Sequence, residues 1–150
     1  TSYSTFYKLF KYLFAEVIKK EIAFMPYKIE KEPKDRGVVI VFSGVVKGEE
    51  MNDLHKSIRT DKKLSTLRYQ IWDFSRINDI KVSFDELRNY AMHDSMGALK
   101  NPNKRIAIII RKKAPSGLDT LFHAYEKAWG GYESATFTDI EAARKWAQSD

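Results

Sequence analysis

Three histidines, His55, His93 and His123, are the first residues to weigh for metal or acid–base chemistry. Each lies in a different stretch of helical pattern, and none has a second ligand at metal spacing on its own helix face. His93 and Asp94 are chain neighbours, so on a helix they point in different directions and form no local pair. A metal site would need tertiary convergence, and the expectation is surface or half-buried histidines with no metal. The seven glycines never build G-x-G-x-x-G or a Walker pattern, and no G-x-S-x-G elbow occurs. Cysteine is absent, which removes disulfides, thiolate zinc sites and thiol nucleophiles and suits a reducing, cytoplasmic setting. No enzyme and no cofactor is expected.

Two polar rims are better candidates for contact with a partner. Trp72-Asp73-Phe74-Ser75-Arg76 closes a strand pattern and leads to Ser83, and the carboxyl ends of parallel strands are where α/β proteins usually bind. Asp73, Ser75, Arg76 and Ser83 are therefore candidate partner-binding residues. Ser83 precedes a helix, whose free N–H groups would stabilise an added phosphate, so it is also a candidate phosphorylation site. The bland alternative is a cap at Ser83 and a loop anchor at Asp73. Arg111, Lys112, Lys113 and Ser116 form the second rim after an apolar strand, where cations would draw an anionic partner or simply sit in water.

The elements that must position these residues follow from periodicity. Tyr27 to Glu32 alternates as an edge strand, and turn chemistry from Pro33 to Gly37 joins it to the β-branched run Val38 to Val46. A helix opens at Gly48 and ends before Asp61. Arg68 to Phe74 is a third strand, and Ser83 with Glu86 is a capping box for a helix running to about Leu99. Ile106 to Ile110 is a continuous apolar run expected to be the central strand, covered on both faces. A helix follows from Pro115 to Trp129, then a strand from Tyr132 to Thr138, then a helix from Ile140 to Ala147 capped by Thr138 or Asp139. The order β β α β α β α β α predicts an α/β fold with one five-stranded, mostly parallel sheet whose first strand is an antiparallel edge.

Residues 1–24 are set apart from this 25–150 domain. Phe6, Leu9, Phe10, Leu13, Phe14 and Val17 share one side of a helix, and Lys8, Lys11 and Lys19 the other. Of the 150 residues 43% are hydrophobic and 31% charged, the composition of a globular domain, and no run approaches the roughly 20 apolar residues of a spanning helix. The net charge of +6 is spread along the chain and announces no nucleic-acid partner.

Several short motifs, taken in order, resemble a known family. They are Met25-Pro26-Tyr27-Lys28-Ile29, Phe42-Ser43-Gly44-Val45-Val46, Leu67-Arg68-Tyr69-Gln70-Ile71-Trp72-Asp73-Phe74, Asn101-Pro102 before Arg105-Ile106-Ala107-Ile108, and Phe137-Thr138-Asp139-Ile140-Glu141-Ala142-Ala143-Arg144-Lys145-Trp146. From Met25 to Trp146 the chain resembles the bacterial STAS-like superfamily related to the sporulation anti-sigma factor antagonist, in particular a small stand-alone branch of unassigned function. The resemblance implies a non-enzymatic regulatory module that binds another protein. It also admits a carrier that holds a small lipid or other apolar ligand between sheet and helices, near Tyr90, Met92, Met96, Phe122 and Trp129. The antagonist's regulatory motif resembles Asp-Ser-Ser-Gly or Asp-Ser-Thr-Gly. The equivalent stretch here is Ile80-Lys81-Val82-Ser83-Phe84, in which Ser83 alone carries over.

The same resemblance implies a natural start at Met25. Lys20-Glu21 can be encoded AAG-GAG, three codons ahead of Met25, the spacing of a ribosome-binding sequence. One expectation is therefore that residues 1–24 are translated leader. The other is a helix that docks on the domain, on a second copy, or on an anionic membrane surface.

Overall fold

Alternation along two valine- and isoleucine-rich strands decides which helix lies on which side of the sheet. A computed structural model describes residues 2–23, 26–113 and 131–150. The elements are α1 (Ser2–Ala23), β1 (Tyr27–Lys31), a 3-10 turn (Pro33–Asp35), β2 (Gly37–Lys47), α2 (Gly48–Thr60), α3 (Lys62–Ser65), β3 (Tyr69–Lys81), α4 (Phe84–Lys100), β4 (Arg105–Ile109), β5 (Glu133–Phe137) and α5 (Ile140–Gln148). The expected helix from Pro115 to Trp129 lies outside the described residues. The sheet runs β1-β2-β3-β4-β5, with β1 antiparallel to β2 and the other neighbours parallel. This is the α/β architecture that the sequence pattern predicts, with the N-terminal helix present.

On one face Val38, Ile40, Phe42, Trp72, Phe74, Ile106 and Ile108 pack against Met51 and Leu54 of α2 and Tyr90 of α4. On the other, Val39, Ile71, Ala107 and Ile109 meet Ala143 and Ala147 of α5, with Trp146 packed alongside. Small alanines let α5 approach the sheet closely. Gly37 is required where β2 begins, because a Cβ there would stand 2.2 Å from the Tyr69 ring. Glu32, next to the same turn, is buried and paired with Arg144 of α5 through both carboxylate oxygens, at 3.0 Å from Arg144 Nε and Nη2. That bond pulls Arg144 further above its already high value, against a smaller opposing effect of burial.

The sequence reading departs from the structure at two strands. The third strand does not stop at Phe74 but runs to Lys81. Val41 faces Asp73 while Ser43 faces Arg76, and Gly44 faces Ile77 while Val45 faces Asp79, so β3 holds one extra residue at each place. These bulges break the period of two and hide the second half of the strand. Gly44 takes a φ of +68° at the same irregularity. Beyond Asp73, β3 has outrun its pairing with β4 and continues with β2 as a two-stranded ribbon. The second departure concerns Ile106 to Ile110, which is fully buried but not central: β3 holds the centre and β4 lies next to the β5 edge. The continuous apolar run reports cover on both faces, which any interior strand has.

Helix starts follow local chemistry. Ser83 Oγ accepts from Glu86 N and Glu86 Oε1 accepts from Ser83 N, each at 3.1 Å, closing the capping box. Asp139, rather than Thr138, caps α5 by accepting from Glu141 N. Along α1 the apolar side chains Phe6, Leu9, Phe10, Leu13, Phe14 and Val17 are exposed, and no α1 residue belongs to either core cluster. No described helix is long and apolar enough to cross a membrane.

Two stability outcomes are expected. Ile108, 3% exposed between β3 and β5, should cost about 2–5 kcal/mol on truncation to Ala, read as a fall in the denaturant midpoint. Ser83→Ala should cost about 1 kcal/mol through the lost cap, while Ser83→Asp, which still caps and complements the helix dipole, should be near neutral. A Ser83→Asp protein clearly less stable than Ser83→Ala would contradict this role.

Candidate functional site

The structure separates the residues of the first expected rim. Asp73 sits within β3 on the α5 side, is 8% exposed, and accepts from Ser75 N at 2.9 Å, a local bond at the first bulge. Lys81, where β3 ends, is eight residues further on, roughly 25 Å of extended chain, and Ser83 follows it. Arg76 is exposed on the ribbon. Of the second rim, Arg111, Lys112 and Lys113 form an exposed turn in which Arg111 Nε donates to Lys113 O. Ser116, Phe122, His123 and Trp129 lie outside the described residues. Tyr90 is buried, whereas Met92 and Met96 are exposed on α4.

A different set of side chains converges between the sheet and helices α2 and α4. Gln70 and Trp72 are two apart on β3 and therefore share a face. Ile106 lies opposite Gln70, so Lys104, two residues before it, opens onto that face as well. With His55 and Arg59 from α2, His93 and Asp94 from α4, and Tyr132, they line a cavity of about 660 Å3. Behind it, a smaller space of about 40 Å3 lies among Met51, Phe74, Leu87 and Tyr90. Asn101 Nδ2 closes one end, donating to the carbonyls of Ser65 and Leu67 at 3.2 and 3.1 Å.

Polar groups in this wall are held at close quarters. Trp72 Nε1 donates to Gln70 Oε1 at 2.9 Å, while Gln70 Nε2, in a residue 2% exposed, has no hydrogen-bond partner among the described residues. Lys104 is 1% exposed, with Nζ 4.9 Å from the centre of the Tyr132 ring. Burial lowers its pKa, and the Asp94 carboxylate opposes part of that shift. Burial chiefly, with Asp94 adding to it, pushes the Tyr132 phenol up to about 12. His55 stacks on Tyr90 at 4.6 Å between centroids, and its Nδ1 is 3.5 Å from Asp94 Oδ1. Arg59 meets His93 Nδ1 at 2.5 Å.

This arrangement is equipped for binding. His55 and Asp94 make an imidazole–carboxylate contact beside the cavity, and among the described residues no three metal-binding side chains converge. Sequence reasoning named His55, His93 and Asp94 but dismissed them for want of local partners; their meeting is tertiary. It passed over Gln70 and Lys104 altogether. The available signal was a polar residue at an inward position of β3 and a lysine abutting the longest apolar run.

His93 gives a pH dependence with a definite sign. Burial, then the charges of Arg59 and His55, lower its pKa below the ordinary 6.5, against the smaller opposing pull of Asp94. The unfolded chain therefore takes up the proton first as pH falls. The stability linked to His93 is complete above the unfolded value and is lost as pH drops through the folded one. Denaturant midpoints compared at about pH 7.5 and 5.5 should fall less for His93→Gln than for the unaltered protein.

No family model matches the sequence, and no curated protein matches it. Among solved structures, the chain is similar to the anti-sigma factor antagonist SpoIIAA in its unphosphorylated form, with 15% identity and a TM-score of 0.54 over 82% of this chain and 99% of that one. An uncharacterized Shewanella loihica protein with a SpoIIAA-like fold matches at 19% identity and a TM-score of 0.46, over 81% and 91% of the two chains. A sheet in this strand order, with one antiparallel edge and helices on both faces, together with the first of these likenesses, establishes that the chain has the STAS-like fold of SpoIIAA.

Proposed function

We propose that the chain is a non-enzymatic regulatory module that acts by binding another protein. The observation that carries this reading is the far end of the β2–β3 ribbon. There Lys47 pairs with Lys81, α2 begins directly after β2, and α4 begins three residues after β3. Val45 on the ribbon and Phe84 in the first turn of α4 are exposed, Phe84 by 58%. Apolar side chains framed by lysines at the carboxyl end of a parallel sheet make a contact surface of the kind α/β proteins use. A SpoIIAA-like fold, in which the similar protein is an anti-sigma factor antagonist, supports the same reading by analogy.

Ser83 lies within this surface, and in the proposal it is the residue through which binding is switched. A phosphate on Oγ would replace the cap and bring a dianion beside Glu86, whose carboxylate already holds Ser83 N. Arg76, exposed on the ribbon, extends the surface. The full chain, tagged and recovered from its source cells, should retain one protein in near-equal amount, and Phe84→Glu should release it without lowering thermal stability. Equal retention by Phe84→Glu, or no retained protein, would count against the reading.

The cavity favours a second reading beside the first. A module with an unpartnered buried amide facing an interior space is suited to hold a small molecule between sheet and helices.

A further inference from the structure

Gln70 and Lys104 share an unmet need. Buried polar groups are almost always paired, and a buried ammonium even more so. Yet Gln70 Nε2 has no partner, and Lys104 Nζ has neither a hydrogen bond nor an ion pair among the described residues, only the face of the Tyr132 ring. The two residues project from neighbouring strands onto one face, their backbones roughly 8 Å apart by strand spacing and rise. Both groups are donors. What satisfies two donors at once is a group that only accepts.

The charge around the cavity points the same way. Its described lining carries three cations, Arg59, Lys100 and Lys104, against one carboxylate, Asp94. Asp94 lies 3.5 Å from His55 and also acts on Lys104 through its charge, Arg59 is engaged with His93, and Lys100 is exposed, so Lys104 is the buried cation facing the space. One ammonium and one neutral amide match a single negative charge. Trp72, Ile58, Met96 and Leu99 supply apolar surface among the polar lining, and the volume is that of a small-molecule site.

We infer that the cavity binds a monocarboxylate with an apolar body, its carboxylate accepting from Lys104 Nζ and Gln70 Nε2 and its body lying against Trp72 and Tyr132. This rests on the second reading above and adds the chemistry of the ligand. The carboxylate supplies what the fold leaves open, while the apolar part displaces water from the indole and phenol faces.

Matched acids and alcohols test it by calorimetric titration of the full chain: octanoate against octanol, and phenylbutyrate against phenylbutanol. The acids should bind at least about tenfold more tightly than the alcohols, as expected when a buried charged donor gains or lacks its acceptor. Lys104→Met should abolish that preference while leaving the alcohols bound. Gln70→Glu keeps the acceptor for Trp72 Nε1 but removes the donor and adds a like charge, and should lose the acids alone. Alcohols binding as well as acids would overturn this inference and leave the carrier reading standing. A preference for acids that survives both substitutions would overturn the assignment to Gln70 and Lys104. If neither class binds, both the inference and the carrier reading fall.

Discussion

Strand β3 is paired on both sides only from Tyr69 to Asp73, and the facing of those residues governs the molecule. Alternation sends Gln70 and Trp72 towards α2 and α4, and Tyr69 and Ile71 towards α5. A slip of one residue would exchange the two sets and bury Gln70 against the alanines of α5. The register is therefore fixed by the cores on both sides. A buried glutamine is tolerated because its neighbours Tyr69, Ile71 and Trp72 leave the strand no other position.

The same strand explains why the described residues pack closely at one end and line a larger cavity at the other. Around Phe42, Trp72 and Phe74 the rings lie within 4.3–6.4 Å of one another and leave a space of about 40 Å3 under α2 and α4. Towards the start of β3 and β4 the aromatic side chains give way to Gln70 and Lys104, which leave room beneath the C-terminal halves of α2 and α4. A purely apolar pair at these two positions would fill that room more cheaply. Sites that keep unmet polar groups in a core are where folding and binding have competing requirements.

Much of the fold was legible because most elements obey a single period. β2, α2 and β4 announce themselves by continuous or periodic apolar residues, and α4 by the Ser83–Glu86 box. The second half of β3 was not legible, since the first bulge puts Ile77 out of the alternation set by Trp72 and Phe74 and the second reverses the shift before Ile80, which breaks the period twice. The four-residue α3 carries no pattern to read. The site was less legible than the fold for a related reason. His55, Gln70, Asp94, Lys104 and Tyr132 come from separate parts of the chain and meet only once the sheet and both helices are in place. Local spacing, the basis on which the histidines were set aside, says nothing about such a meeting.

The pair between Glu32 and Arg144 joins positions 112 residues apart, one beside the first turn of the sheet and the other on α5. During synthesis the early hairpin leaves the ribosome with Glu32 and the face that α5 will cover still open to water. The second core cluster cannot close until α5 emerges, so its docking follows the synthesis of all five strands rather than being a step of local assembly. A nascent chain stalled before Arg144 would lack one of the two cores that fix the register of β3, and its open apolar face would be a surface for chaperones.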